Sequence, residues 1–158
     1  MRKLFMCCLA ILLLSVAGPL IAQSDAFLGT WKLNVQKSKF QASPPSKSET
    51  RVVTTGPMCM HVSVDRVDAG GNAQQFEYTT NLDGKNYPIV GQGPYGADSI
   101  AANLTSPNTI QSTLKNGGKV VATANTVVSS DGKVVTITTK GVDAGGKHFL
   151  EVRVYEKQ

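Results

Sequence analysis

Residues 119–155 read KVVATANTVVSSDGKVVTITTKGVDAGGKHFLEVRVY, and this stretch decides the fold class. It holds three runs rich in Val, Thr, Ile, Phe and Tyr, namely Lys119–Val128, Lys133–Lys140 and His148–Tyr155. This composition is typical of β-strands. The Asp- and Gly-containing segments between the runs favour tight hairpin turns, because Gly accepts a positive φ and Asp caps the turn backbone. The stretch therefore predicts three consecutive antiparallel strands.

The same alternation of strand-like runs and turn signals extends upstream. Nowhere do apolar residues follow a helical period over about a dozen positions, so a long helix is not expected. We predict an all-β fold of about ten strands, closed into an antiparallel up-and-down barrel because closure removes exposed strand edges. A two-sheet sandwich is the alternative. The upstream turn signals are Gly56-Pro57, Asp68–Gly71, Asp83-Gly84, Gly93–Gly96, Ser106–Asn108 and Asn116–Gly118.

The first residues have the pattern of a secretory signal peptide. Arg2 and Lys3 precede the apolar run Leu4–Val16, which Gly18 and Pro19 then interrupt. The run is shorter than the roughly 20 apolar residues that a membrane-spanning helix needs. Export is therefore expected, with an uncleaved membrane anchor as the alternative.

Small residues near the end of this segment indicate cleavage after Ala22 or after Ser24. We predict residues 1–24 as the signal peptide and residues 25–158 as one barrel domain. The expected location is the periplasm or the exterior of the cell, without stable membrane insertion after cleavage.

Cysteine content and charge exclude several classes of protein. Cys7 and Cys8 fall within the predicted signal peptide, and Cys59 is the remaining cysteine, so no disulfide is expected within the mature chain. Removal of Arg2 and Lys3 leaves 14 basic against 11 acidic residues, a net charge of +3. The lysines are scattered and do not alternate with aromatic residues, so no nucleic-acid partner is expected.

One connection differs from the tight turns. Gln36–Ser48 contains Lys, Ser and the Pro44-Pro45 pair, with almost no apolar side chain to bury. We predict an extended loop there and expect it to be the most mobile part of the mature protein, because prolines cannot donate ladder hydrogen bonds.

Both ends of the mature chain resemble the fatty-acid-binding proteins. Asp25–Leu33, DAFLGTWKL, is similar to their opening and, through its Gly-x-Trp core, to the wider lipocalin-type (calycin) superfamily. Lys140–Val142 followed by Arg153–Lys157 is similar to their last hairpin, where an Arg-x-Tyr pair binds a ligand carboxylate. The resemblance implies a ten-stranded barrel around a ligand cavity, with Arg153 and Tyr155 as ligand-binding residues.

The chain also resembles secreted bacterial lipocalin-like proteins of the same superfamily. The shared features are the opening Gly29–Asn34, the Lys37–Lys39 run that follows it, and the Asp-Gly-Lys-x-Tyr-Pro stretch at Asp83–Pro88. Fatty-acid-binding proteins insert a helix-turn-helix lid after the first strand, where this chain has the Pro-rich Gln36–Ser48. We therefore expect a barrel without a helical lid.

Strand alternation gives two interpretations of the last strand. Leu150, Val152 and Val154 share one face, and Arg153 and Tyr155 share the other. Ordinary patterning places the aliphatic face in the core, with Arg153 and Tyr155 outside as a surface or interstrand pair. The resemblance implies the reverse, with both residues inside a polar cavity. The sequence leaves both interpretations open.

Other chemistry-bearing residues point to structural roles. The resemblance implies that Trp31 plugs the closed end of the barrel. Met58–His61 gathers soft donors that suit copper, but alternation puts Cys59 and His61 on one face and both methionines on the other, so no metal site is predicted. His61 and His148 are isolated from any nucleophile, and no catalytic motif is recognisable. We predict neither an enzyme nor a cofactor.

Two functions remain. The first is an exported monomeric carrier that encloses a small hydrophobic or amphipathic ligand, such as a fatty acid. The second is a ligand-free envelope module that binds a protein or polysaccharide by its surface. The internal volume distinguishes them, because ligand pockets measure roughly 300 to 1,000 Å³. In the second case the interior is filled by Phe76, Tyr78, Ile110 and Leu114.

Overall fold

Ten antiparallel strands form a closed barrel in the computed structural model, which describes residues 25–56, 59–143 and 145–158. Each strand pairs with its neighbours in sequence, and the first strand pairs with the last. The predicted all-β class, strand count and closure are confirmed, and the sandwich is excluded. The strands are β1 (Gly29–Lys39), β2 (Ser48–Gly56), β3 (Cys59–Val67), β4 (Ala73–Thr80), β5 (Asp83–Gly91), β6 (Ser99–Ser106), β7 (Thr109–Asn116), β8 (Lys119–Val128), β9 (Val134–Val142) and β10 (His148–Lys157).

Helix in the described residues is limited to two short 3₁₀ turns, Asp25–Phe27 and Pro94–Gly96. Neither is long enough to serve as a lid. No helix in these ranges is long and apolar enough to cross a membrane. The predicted signal peptide, residues 1–24, lies outside the described residues.

The up-and-down order gives the barrel two distinct ends. The connections β1–β2, β3–β4, β5–β6, β7–β8 and β9–β10 lie at one end, which we call the mouth. The other connections lie at the opposite end, the base, together with Asp25–Phe27 and the end of β10. Opposite Lys157 on β10 stands Trp31 on β1, and opposite Val154 stands Asn34. The paired strands β1 and β10, which close the barrel, therefore extend from the base to the mouth.

The loop predicted at Gln36–Ser48 is shorter than expected. Strand β1 continues to Lys39, so the prediction is wrong for Gln36–Lys39, and Ser48 already belongs to β2. Backbone pairing of Lys39 with Val152 extends the strand after a bulge, and the Ser38 hydroxyl accepts a hydrogen bond of 3.0 Å from the Val154 amide. A strand segment can thus be polar throughout when a neighbouring strand satisfies its backbone. The connection itself is 40–47.

Apolar side chains fill the base of the barrel. Trp31 is 1% exposed, and its indole Nε1 donates a hydrogen bond of 2.8 Å to the carbonyl of Phe27 in the 3₁₀ turn below it. The Lys157 ammonium lies 5.1 Å from the centre of the indole ring. The predicted plugging role of Trp31 is confirmed. The other buried apolar residues around it include Val53, Met60, Val62, Ile110 and Val135.

Candidate functional site

Strand β10 turns its charged face into the barrel. Glu151 and Tyr155 have no exposed surface and Arg153 is 7% exposed, whereas Leu150 is 45% exposed. The interpretation that placed the aliphatic face in the core is therefore wrong, and the one implied by the family resemblance is right. The physical reason is that strand β2 brings matching charges into the same part of the interior.

The Arg153 guanidinium is held by two glutamates. Its Nε donates a hydrogen bond of 2.6 Å to Glu151 Oε1, and its Nη1 donates one of 2.7 Å to Glu49 Oε2. Tyr155 Oη donates a hydrogen bond of 2.7 Å to the other Glu49 oxygen, Oε1. Charge-assisted bonds of this length are the strong ones in proteins. Arg153 and Tyr155 therefore clamp a carboxylate, but it belongs to the protein itself.

Glu49 thus stands where the family resemblance places the carboxylate of a ligand. Arg51, two residues further along β2, adds a second cation, with Nη1 at 3.6 Å from Glu49 Oε1 and the guanidinium 5.6 Å from the centre of the Tyr155 ring. Two arginines and two glutamates make the buried cluster neutral. No buried side-chain nitrogen or oxygen among the described residues lacks a hydrogen-bond partner. We call Glu49, Arg51, Glu151, Arg153 and Tyr155 the ion cluster.

The ion cluster shifts the pKa values of its members. Burial by itself lowers the pKa of Arg153, but the Glu49 carboxylate and the neighbouring groups outweigh burial, so the pKa lies above its ordinary value. Burial raises the pKa of Tyr155, and the Glu49 carboxylate raises it further. The arginine therefore stays charged and the phenol stays protonated at neutral pH.

Residues of the mouth loops cover the ion cluster. Tyr95 donates a hydrogen bond of 2.9 Å from its phenol to Glu151 Oε1, and its ring stacks on Phe149 with 4.9 Å between centres. Its backbone has φ of +57°, an unusual value for a residue other than glycine. From the β1–β2 connection, the Phe40 ring lies 5.5 Å from the Arg153 guanidinium. Tyr95 and Phe40 therefore cover the ion cluster from two sides, and we call these two residues the cover.

Space inside the barrel is small. A cavity of about 60 Å³ borders the ion cluster, and another of about 40 Å³ lies above Trp31. Both are far below the roughly 300 Å³ of a typical ligand pocket and hold at most a few waters. The predicted fillers lie inside as expected: Phe76, Ile110 and Leu114 are buried, and Tyr78 lines both cavities.

A larger space opens outside the cover. This mouth cleft has a volume of about 470 Å³ and lies between the loops β1–β2, β3–β4 and β5–β6. Arg153 and Tyr95 line both the cleft and the cavity beneath it. Among the described residues none accepts a hydrogen bond from Arg153 Nη2. Further lining residues are Ala42, Ser43, Pro44, Ser46, Arg66 and Gln92.

Sequence reasoning found Arg153 and Tyr155 and missed Glu49, Arg51 and Tyr95. A signal was present, because β2 carries Glu49-x-Arg51 and β10 carries Glu151-x-Arg153, each on one face of its strand. Two such Glu-x-Arg patterns on separate strands indicate that the glutamates of one strand can neutralise the arginines of the other inside the barrel. Tyr95 had no comparable signal, because a turn sequence does not show what its side chain contacts.

The run at the start of β3 behaves as alternation predicts. Met60 is buried in the core, while Cys59 and His61 are half-buried on the opposite face. His61 Nδ1 lies 3.0 Å from Thr79 Oγ1. Met58 lies outside the described residues. In the described ranges no group of three or more His, Cys, Asp or Glu residues is placed to hold a metal ion.

Comparisons with known proteins show similarity of fold. No protein-family model matches the chain, and no curated protein matches it. A solved structure of a redesigned β barrel aligns with a TM-score of 0.50 and 11% identity, over 87% of this chain and 96% of that one. The ten-stranded barrel implied by the family resemblance is confirmed.

Two natural proteins align with this chain less closely. The zebrafish ileal bile acid-binding protein, solved with cholic acid, aligns with a TM-score of 0.49 and 9% identity, over 84% of this chain and 99% of that one. The siderocalin Ex-FABP, described as having dual ligand specificities, aligns with a TM-score of 0.37 and 14% identity, over 84% and 74% of the two chains. At such identities the similarity concerns the fold alone.

Proposed function

We propose that the protein is an exported ligand-binding barrel of the cell envelope, periplasmic or secreted, and not an enzyme. Its ligand is a small amphipathic molecule, such as a fatty acid, whose polar head lies in the mouth cleft against Arg153. The observation that carries this proposal is the cleft of about 470 Å³ with a buried arginine at its floor. That volume lies within the range of small-molecule sites.

The ion cluster argues against a polar head group deeper in the barrel. A ligand carboxylate could reach the Arg153–Tyr155 clamp only by displacing Glu49, which already satisfies both donors. Displacement would also leave a second anion beside Glu151 in a closed space, which is costly. The mouth cleft needs no such exchange, because Arg153 lines it and the Nη2 of this residue has no hydrogen-bond partner among the described residues.

The cleft lining suits an amphipathic ligand. Arg153 and Arg66 offer charged donors against one acidic residue, Asp68, and Gln92 and Ser43 offer neutral hydrogen-bonding groups. Apolar surface comes from Ala42, Pro44, Ala69 and the Tyr95 ring. A head group rich in acceptors, such as a carboxylate or carbonyl, matches the guanidinium, while a short aliphatic portion packs on the apolar part.

Titration calorimetry with decanoate and decanol tests the proposal. Ser43→Trp fills the cleft from an exposed loop position, and Ser48→Trp is the matched control outside the cleft. Arg153→Lys keeps the positive charge beside Glu49 and Glu151 but removes the planar guanidinium with its several N–H donors. We expect Ser43→Trp to abolish binding and Arg153→Lys to weaken decanoate binding about ten- to a hundredfold, with decanol little affected. The proposal fails if the wild type binds neither probe, or if Ser43→Trp binds like Ser48→Trp.

Export has its own test. Expression of the full chain in a secreting host, followed by N-terminal sequencing, should give a mature start between Gln23 and Asp25. A membrane-bound chain that still begins at Met1 would contradict export while leaving the cleft proposal intact.

A ligand-free interaction module is the second candidate. The small interior cavities favour it, because a filled barrel serves as a rigid scaffold without any cargo. Native mass spectrometry of protein purified from its own host separates the two candidates. A retained ligand appears as added mass on the carrier, and the module shows the bare chain mass.

A further inference from the structure

The large apolar side chains with high exposure gather at one end of the barrel. In the described part of the chain these are Val90, Val120, Val142 and Leu150, which are 60%, 58%, 44% and 45% exposed. Each lies within three residues of the mouth end of its strand. Scattered exposed apolar residues are ordinary on a protein surface. A group of them at one end of the barrel is instead typical of an interaction surface.

Three of the four lie on the adjacent strands β8, β9 and β10, and lysines lie between them. Lys119 precedes Val120, Lys140 stands directly opposite Leu150 in the β9–β10 pair, and Lys147 lies in the turn between those strands. In the described ranges none of these three lysines forms a salt bridge. We call Lys119, Val120, Lys140, Val142, Lys147 and Leu150 the rim patch.

Charge also differs between the two ends. Over the loops and the two strand residues beside each loop, the mouth has a net charge of +3, leaving out buried Glu49, and the base has −2. The mouth residues are Lys39, Lys47, Arg66, Lys115, Lys119 and Lys147 against Asp68, Asp98 and Asp143. The base residues are Lys133 and Lys157 against Asp25, Asp83, Asp131 and Glu156.

We infer that the rim patch docks the barrel, mouth first, on the surface of an anionic lipid bilayer. Lysines beside an anionic membrane are attracted to its head groups, and apolar side chains between them can enter the boundary with the acyl chains. A second copy of the chain fits less well, because a symmetric contact would bring six lysines together. Docking in this orientation turns the mouth cleft toward the lipid, but it does not depend on the cleft holding a ligand.

Vesicle co-sedimentation tests the inference. Purified mature protein is mixed with phosphatidylcholine vesicles or with vesicles containing about 30% phosphatidylglycerol. The rim variant is Lys119→Glu, Lys140→Glu and Lys147→Glu together. Its matched control is Lys32→Glu, Lys85→Glu and Lys133→Glu, three exposed lysines toward the base that give the same change in net charge. Circular dichroism verifies that both variants are folded.

We expect the wild type to bind the anionic vesicles at least about tenfold more than the neutral ones, and about 0.5 M salt to weaken this binding. The rim variant should lose about a hundredfold in partitioning, and the base variant less than about fivefold. Val142→Ser with Leu150→Ser, which keeps the lysines, should lower the binding that survives in salt.

Three results would overturn the inference. The first is a wild type that does not bind anionic vesicles, and the second is a base variant as impaired as the rim variant. The third is a concentration-dependent dimer in sedimentation velocity that the rim variant abolishes, since a second copy would then cover the patch. The decanoate titration is independent of these results, so the cleft proposal stands or fails separately.

Discussion

At the base of the barrel the interior is closed by Trp31 and aliphatic side chains, whereas below the mouth it is closed by two arginines, two glutamates and a tyrosine. Both halves are packed, and the interior cavities described above measure only about 60 and about 40 Å³. The base is stabilised by burial of apolar side chains. Because these side chains are closely packed, loss of side-chain volume there lowers stability. In the half below the mouth, the buried ion pairs add little net stability. Removal of one member of a pair is strongly destabilising, because the other charge is then buried without a partner.

The two halves differ in how strictly they define the arrangement of the strands. An apolar base needs only side chains of suitable size, whereas the ion cluster fixes one arrangement of β2, β10 and the mouth loops, because both Glu49 oxygens and Glu151 Oε1 accept short hydrogen bonds from assigned donors. The same arrangement occupies the clamp of Arg153 and Tyr155. Changes in each half should therefore have different effects on stability.

Arg153→Met should have the largest effect on stability. It leaves Glu49 and Glu151 buried with no guanidinium between them, and removal of one partner from such a network costs about 3–5 kcal/mol. Urea denaturation should show a free energy of unfolding lowered by this amount. The double variant that adds Glu151→Gln leaves Arg51 and Glu49 as a neutral pair and should recover more than half of the loss. A double variant no better than the single one would mean that packing, not charge, dominates there.

Trp31→Phe should cost less, about 1–3 kcal/mol. The ring remains apolar, but the buried Phe27 carbonyl loses its donor at 2.8 Å. Because the described residues of the base form no buried ion pair, this loss should be the same in low and high salt. A strong salt dependence in urea denaturation of Trp31→Phe would show that the two halves are not energetically distinct.

Alkaline pH should act on the ion cluster and not on the base. Burial, and then the Glu49 carboxylate, raise the pKa of Tyr155 above its ordinary value of 10.0, so the folded state holds this proton more tightly than the unfolded chain. The resulting stability is complete below pH 10 and is lost as pH rises above it. We expect the free energy of unfolding to fall as the pH rises above about 10, and Tyr155→Phe to reduce the slope. An unchanged slope would place the sensitive group elsewhere.

Phe40→Leu should have the smallest effect, about 0.5–1 kcal/mol. The change keeps apolar bulk over Arg153 but removes the aromatic face 5.5 Å from its guanidinium. Thermal unfolding monitored by circular dichroism measures it. A loss as large as that of Arg153→Met would mean that the β1–β2 connection is a main support of the ion cluster.

The sequence could predict the barrel because its determinants are local. Turn residues such as Asp131-Gly132 and Asp143–Gly146, with β-branched runs between them, indicate hairpins, and closure follows from the need to remove edges. The interior could be predicted only where it is apolar. Leu150, Val152 and Val154 suggested a core face, yet the charged face lies inside because its partners, Glu49 and Arg51, come from a strand about 100 residues away in sequence.

The clamp of Arg153 and Tyr155 was predictable from the family resemblance, but its occupant was not. Only the three-dimensional structure brings Glu49 to 2.7 Å from both donors. The strand character of Gln36–Lys39 was hidden for a similar reason. Its polar residues carry no apolar period, and pairing with β10 is a property of the closed barrel.

The most direct test of the account is an NMR titration of ¹⁵N-labelled protein with decanoate. Trp31 is the single tryptophan, so its indole Nε1–H signal reports on the base of the interior alone. We expect saturable shifts for Gly93, Gly96 and the Arg153 Nε–H signal, with the Trp31 indole signal unchanged. A Trp31 shift that saturates with the same Kd would contradict it, because the ligand would then lie inside the barrel and Glu49 would have given up the clamp.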